Sequence, residues 1–161
     1  MHQDERDHRP YASPPCSQHE FDAAPALSLE EIAGRLNELL EGERAGARGL
    51  IDMKAASGDA ALTELLDAVA RDEARFCAML GHHLERLGYT PSRKTGVFYE
   101  KLKARETLEA QLHLLDRGQS AVVRMLDEIL PSVREPELLA DLTEMRETHI
   151  ENIRRCAEYP L

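Results

Sequence analysis

Four segments of this chain repeat apolar residues with the spacing of an α-helix, and turn residues separate them. Leu, Ile, Val and Met recur three or four positions apart, which places them on one face of a helix. The four stripes lie between residues 28 and 57, 59 and 88, 108 and 131, and 136 and 160. No run alternates apolar and polar residues with the period of a strand. The pattern therefore predicts an all-α protein.

Residues that begin and end helices flank these stripes. Ser28 with Glu31 three positions later forms the sequence of a capping box, so the first helix is expected to begin there. Asp59 is placed to cap the second helix, and Gly88 to end it. Pro136 suits the first position of the fourth helix. These signals fix the helix boundaries within a few residues.

The lengths of the connections indicate how the helices are arranged. Short links join the first helix to the second and the third to the fourth, whereas residues 90–103 form a longer link that contains a possible helical turn at 97–99. Two hairpins joined by a crossover predict an antiparallel four-helix bundle. We expect this bundle at residues 27–161 and a disordered tail at 1–26, where prolines accompany His2, His8, His19 and Cys16.

Composition argues against several classes of partner. The formal charge is −10, which disfavours binding to nucleic acid or to an anionic membrane surface. No stretch is long and apolar enough to span a bilayer, and the first residues lack the apolar centre of a secretory signal. The three cysteines are far apart and predict no disulfide framework. We therefore expect a cytoplasmic protein without nucleic-acid or membrane partners.

Two carboxylates interrupt the apolar stripes of the first two helices. Glu43 lies 15 residues before Gly58 and Glu73 lies 15 residues after it, so a hairpin that turns there places both at the same depth. Both fall at the centre of their apolar faces. Facing carboxylates inside a core repel each other, and one takes up a proton unless a cation lies nearby. These positions therefore predict a polar site in the core.

The third and fourth helices supply candidates to complete this site. Arg146 and His149 are three residues apart and share the apolar face of the fourth helix, while the third helix carries Gln119 within its stripe and Asp116 at its edge. One interpretation is a metal site, in which the two glutamates and His149 hold one ion and Asp116 faces it. The other is a core charge cluster, in which Arg146 bridges the two carboxylates in place of a metal.

The first two helices resemble those of a known family. The segment Leu36-Asn37-Glu38-Leu39-Leu40-Glu41-Gly42-Glu43 resembles the L-N-x-x-L-x-x-E sequence of bacterioferritins and related ferritin-like proteins. The pair Asp72-Glu73, followed later by Pro91, is similar to their second helix. The resemblance implies a ferritin-like bundle in which Glu43 is a metal ligand and Glu73 bridges two metal ions.

The chain departs from that family at several positions. The family places Glu-x-x-His on both the second and the fourth helix, whereas here Phe76 takes the histidine position of the second, and Arg146 takes the glutamate position of the fourth. His149 is retained. Leu50 and Ala74 replace the family's tyrosine and haem-ligating methionine. These differences argue against haem and against ordinary ferroxidase chemistry.

The expected function is therefore a ferritin-like protein with a reduced metal site that holds one iron, manganese or zinc ion. If it is an enzyme, the resemblance implies metal-dependent oxidation. The alternative is a non-catalytic helical module for interaction or stress response, built around the arginine–carboxylate cluster. With either function the bundle is a candidate homo-oligomer, through outer apolar residues such as Ile51, Val97 and Phe98.

Overall fold

The computed structural model describes residues 24–160. Nearly all of the predicted tail, including Cys16 and three histidines, lies outside the described residues. Within 24–160 the regular secondary structure is helical and contains no strand, as predicted. The helices are α1 (Leu29–Ala56), α2 (Ala60–Arg86), α3 (Phe98–Lys103), α4 (Leu108–Ile129) and α5 (Pro136–Ala157), with a 3₁₀ turn at Leu130–Ser132 after α4.

The predicted helix ends are confirmed. The Ser28 hydroxyl accepts from the Glu31 amide at 3.1 Å, and the Ser28 amide donates to the Glu31 carboxylate at 2.7 Å, which completes the capping box. Asp59 caps α2 through its side chain. After α2 the chain turns at Gly88, whose φ of 85° favours glycine. Pro136 is the first residue of α5.

The four long helices contact one another in a closed ring. Helix α1 packs against α2 and α4, and α5 packs against α4 and α2. The short helix α3 forms within the predicted crossover and lies on α1 and α4. Its Leu102 packs against Gly49 of α1, and its Phe98 against Gly118 of α4, where the missing side chains leave room.

Apolar side chains form two separate clusters inside the ring. One contains Leu36 and Leu40 of α1 together with apolar residues of α2, α4 and α5. The other contains Leu50 and Met53 of α1 with partners from α2, α3 and α4. On each long helix a polar residue falls between the stretches that belong to the two clusters. The polar side chains therefore occupy a layer across the middle of the core.

Candidate functional site

Four buried polar side chains, one from each long helix, make up this layer. Glu43 of α1 and Glu73 of α2 are each 2% exposed, Gln119 of α4 is 5% exposed, and His149 of α5 is 1% exposed. We call these four residues the polar layer. Their burial is unusual for polar side chains, because a buried charge needs a partner to offset its loss of hydration.

His149 and Glu43 form a close pair across the layer. The Nδ1–H of His149 donates to the carbonyl oxygen of Met145 at 2.9 Å, while Nε2 lies 3.0 Å from Oε1 of Glu43. Because Nδ1 carries its own proton, the contact to Glu43 needs a second one. Burial lowers the pKa of His149, but the charge and hydrogen bond of Glu43 outweigh it, so that the net shift is upward. The pair is best described as an imidazolium held by a carboxylate.

The surroundings of Glu73 favour a neutral carboxyl group, in contrast to the carboxylate of Glu43. Its Oε1 accepts a hydrogen bond from Nε2 of Gln119. Burial, and then the neighbouring charge of Glu43, raise the pKa of Glu73 well above its usual value of 4.5, and the bond from Gln119 only partly opposes this. The layer therefore favours a neutral Glu73 beside the charged Glu43–His149 pair.

Three oxygen atoms of the layer have no hydrogen-bond partner within the described part of the chain. They are Oε2 of Glu43, Oε2 of Glu73 and Oε1 of Gln119. An unpaired buried polar atom costs about 1–3 kcal/mol, and proteins keep few of them. Oε2 of Glu43 and Oε1 of Gln119 can accept hydrogen bonds, and Oε2 of Glu73 can do so once its carboxyl group loses its proton, so the site has unused capacity to bind a cation or a hydrogen-bond donor.

A pocket connects this layer to the surface between α1 and α4. Its volume is about 190 Å³. Glu43, Glu73 and Gln119 lie among its lining residues, while the exposed Glu38 and Ala121 mark its rim. Most of the remaining lining is apolar, and it consists of Leu39, Gly42, Phe98, Leu115, Gly118, Val122 and Met125. Three residues of the layer therefore line the inner end of an apolar pocket, while their unpaired oxygens are themselves buried.

Comparison with known proteins identifies the family. Residues 30–158 match the family described as Domain of unknown function (DUF6306). The chain belongs to the DUF6306 family. No curated protein matches it. A solved structure described as ferritin like, diiron-carboxylate proteins from Bacillus anthracis str. Ames is similar in fold, with a TM-score of 0.73 and 17% identity over 81% of this chain and 97% of that one. The ferritin-like fold implied by the sequence is thus confirmed.

The structure corrects the predicted position of Arg146 in this DUF6306 chain. Its Nε lies 2.5 Å from Oδ1 of Asp127 on α4, and its side chain is 35% exposed. A permanently charged guanidinium is better hydrated at the bundle surface than between the helices. The predicted arginine bridge between the two core carboxylates is therefore wrong, and Gln119 is the member of that proposed charge cluster that lies in the core.

Asp116 also lies apart from the layer. It is half-buried and lines a separate groove with Cys156 and Tyr159 near the end of α5. Burial is the main cause of a raised pKa at the Cys156 thiol, and the Asp116 charge adds to it. Glu43, Glu73 and His149 all belong to the polar layer, and their role as metal ligands stays a prediction, whereas Asp116 lies outside the layer.

The residues of the DUF6306 chain do not fit a di-metal centre. Phe76 occupies the position of a second histidine, and its ring packs against that of His149 with centroids 5.5 Å apart. Arg146 faces away from the layer. Among residues 24–160, no three His, Cys, Asp or Glu side chains are grouped as a metal site.

Sequence reasoning missed three residues that shape the site. A side chain at Gly46 would collide with the Glu73 carboxyl group, so Glu73 rests directly on the α1 backbone. Phe98, which was expected on an outer surface, instead packs on Gly118 and lines the pocket. Glycine inside a helix costs about 1 kcal/mol relative to alanine, and the close approach of Glu73 and Phe98 explains its presence at Gly46 and Gly118.

Proposed function

We propose that this protein is a ferritin-like bundle that binds one divalent transition metal ion, iron, manganese or zinc, in its polar layer. The three unpaired buried oxygens carry this proposal, because they belong to a layer that already contains an imidazole. Carboxylate and amide oxygens with one imidazole nitrogen are an ordinary donor set for such ions. The residues that would hold the ion are Glu43, Glu73 and His149, with the amide oxygen of Gln119.

A single ion suits this donor set better than two. The positions of Phe76 and Arg146 remove one ligand from each of two helices, and the remaining side chains supply too few donors for a pair. When bound, such an ion supplies Lewis acidity and, for iron or manganese, one-electron redox chemistry. The chain's part is to give up protons at His149 Nε2 and Glu73, and Gln119 holds the Glu73 carboxyl group in place.

The proposal includes the antiparallel bundle at residues 27–161, preceded by a tail at 1–26. Contacts between α2 and α5 support opposite directions for these helices. The Nδ2 of Asn152 donates to Asp72 at 3.1 Å, and Nε2 of His83 lies 2.6 Å from Asp141. Residue numbers therefore rise along α2 as they fall along α5, as expected for antiparallel neighbours in a bundle.

A second candidate is a non-catalytic helical module, used for interaction or stress response, whose layer works without metal. The pKa of Glu73, which burial raises, and the lack of a grouped three-ligand site among residues 24–160 favour it. In this form the imidazolium of His149 neutralises Glu43, and a proton neutralises Glu73. The arginine–carboxylate cluster is not part of this candidate.

We propose a cytoplasmic location and no nucleic-acid partner, on the strength of the acidic charge. No helix within residues 24–160 has the length and apolar character needed to cross a membrane. Ile51 and Val97 are 55% and 71% exposed, and these side chains support the proposal of a homo-oligomer.

Metal analysis of protein purified without chelator tests the proposal. We expect close to one equivalent of iron, manganese or zinc in the wild type and its loss in His149→Gln and Glu43→Gln. His83→Gln is the matched control, because His83 is also 1% exposed and also pairs with a carboxylate, but lies outside the layer. This control variant should retain the metal.

Two results would contradict a metal function. The first is wild-type protein that contains no metal and shows no saturable heat of binding with Fe²⁺, Mn²⁺ or Zn²⁺ in calorimetry. The second is metal content that stays the same in the His149→Gln variant, since an ion bound elsewhere would not depend on the layer. Either result would leave the metal-free module as the supported function.

A further inference from the structure

We propose that the pocket above the polar layer binds a short primary amine. The ammonium group would bind the unpaired oxygens of the layer, and the apolar tail would fill the passage towards the surface. This inference goes beyond the metal proposal and does not rest on it, because the amine would use the layer in metal-free protein. Metal and amine would compete for the same oxygens.

The floor of the pocket has acceptor oxygens at Glu43 and Gln119 without donors to match them. Glu43, Glu73 and Gln119 all lie among the lining residues, and each has one buried oxygen without a partner. No described lining residue carries a hydroxyl group or a cationic side chain. A ligand that satisfies this floor must therefore bring hydrogen-bond donors, and an ammonium group brings three of them on one atom.

The walls and the volume limit the rest of the ligand. Leu39, Phe98, Leu115, Val122 and Met125 present apolar surface along the passage. A volume of about 190 Å³ is slightly larger than a cavity of about 150 Å³ that holds benzene in another protein. The pocket therefore fits a phenyl ring or an alkyl chain of similar volume.

Charge selects a cation over an anion. The chain carries a formal charge of −10, and the exposed carboxylate of Glu38 stands at the rim of the pocket. The floor adds the carboxylate of Glu43, which is paired with His149, and the carboxyl group of Glu73. Although Arg35 pairs with Glu38 at 3.1 Å, the lining offers an incoming carboxylate or phosphate no cationic side chain, so charge favours a cation over an anion.

Isothermal titration calorimetry with chelator-treated protein tests the proposal, using benzylamine as the probe. Benzyl alcohol and benzoate serve as neutral and anionic analogues of the same size. We expect saturable binding of benzylamine at one site, affinity for benzyl alcohol weaker by about tenfold, and no binding of benzoate. Glu73→Gln, which replaces a carboxyl oxygen with an amide donor, should weaken the binding of benzylamine by about tenfold.

Two substitutions at neighbouring positions of α4 test whether the ligand binds in this pocket. Val122→Phe fills the passage and should abolish binding, whereas Val123→Phe adds the same ring at an equally half-buried position outside the lining and should keep the affinity within about twofold of the wild type. Circular dichroism of each variant checks that it folds, and Glu73→Gln gives an independent test if the Val122→Phe variant does not.

Several outcomes would overturn the proposal. These are absence of saturable benzylamine binding to the metal-free wild type, benzoate or benzyl alcohol binding as tightly as benzylamine, and unchanged affinity in the folded Val122→Phe variant. Metal content is measured separately, on protein purified without chelator. If benzylamine does not bind, the metal proposal is therefore unaffected, and if no metal is found, the amine proposal is unaffected.

Discussion

Replacing Gly46 by alanine is the sharpest test of how the polar layer is built. The added methyl group would overlap Oε2 of Glu73, with the Cδ and Oε1 atoms of the same side chain only 2.8 Å and 2.9 Å away. Carbon atoms in folded proteins do not approach so closely. The carboxyl group of Glu73 must therefore move, yet it is buried and accepts a hydrogen bond from Gln119.

The expected change in the free energy of unfolding combines two losses and one gain. Overpacking in a well-filled core costs about 1–3 kcal/mol, and losing the Gln119 bond to a buried carboxyl group costs about 1–3 kcal/mol more. Alanine recovers about 1 kcal/mol because glycine is a poor helix former. The expected net result for Gly46→Ala is a loss of about 3 kcal/mol in the free energy of unfolding.

Urea unfolding followed by far-ultraviolet circular dichroism measures this loss. Gly34→Ala is the matched control on the same helix, because a methyl group there meets no atom within 4 Å. It should stabilise the protein by about 1 kcal/mol through helix propensity alone. Combining Gly46→Ala with Glu73→Ala should remove the clash, so that the two changes cost less together than their sum. If Gly46→Ala stabilises the protein as Gly34→Ala does, Glu73 does not rest against α1 and the described layer is wrong.

Three further predictions concern titration, surface charge and capping. In metal-free protein the raised pKa values of Glu73 and His149 mean that the folded chain still holds protons that the unfolded chain releases above about pH 4.5 and 6.5. The free energy of unfolding should therefore fall as pH rises above these values towards the folded-state pKa of each group, less steeply in Glu73→Gln. Arg146→Ala should change the free energy of unfolding in urea by less than about 1 kcal/mol, because its partner Asp127 is also at the surface. A loss of several kcal/mol would instead support an arginine bridge in the core. Ser28→Ala should cost about 1 kcal/mol in the same assay, and no loss would show that the capping box does not hold α1.

The helix boundaries could be predicted because their signals are local. Ser28, Asp59 and Pro136 act on the backbone within three or four residues, so the sequence contains both partners of each capping contact. The depth of Glu43 and Glu73 could also be predicted, since a single hairpin relates them and equal distances from its turn place them at the same level. These inferences needed no knowledge of how the hairpins pack on each other.

Arg146 shows where such reasoning stops. A helical wheel gives the angle of a residue around its own helix, and at that angle Arg146 lies near the edge of the apolar face. Its direction is decided by Asp127, which lies on α4, and the sequence does not reveal the distance between α4 and α5 at that level. Long side chains at such an edge reach water with their charged ends. The same limit applies to Phe98, whose position depends on space left by Gly118 on another helix.

Energetics connect the unpaired oxygens to function. Three unpaired buried acceptors at about 1–3 kcal/mol each represent a cost comparable with much of the 5–15 kcal/mol that stabilises an ordinary domain. Replacing a buried polar cluster with apolar side chains is often neutral or stabilising, so folding alone does not require Glu43, Glu73 and Gln119 at these positions. A ligand that binds only the folded protein would offset this cost through its own binding free energy. Both proposed ligands, a divalent ion and an ammonium group, are cationic, and both would bind the unpaired oxygens of Glu43, Glu73 and Gln119, the three layer residues that line the pocket.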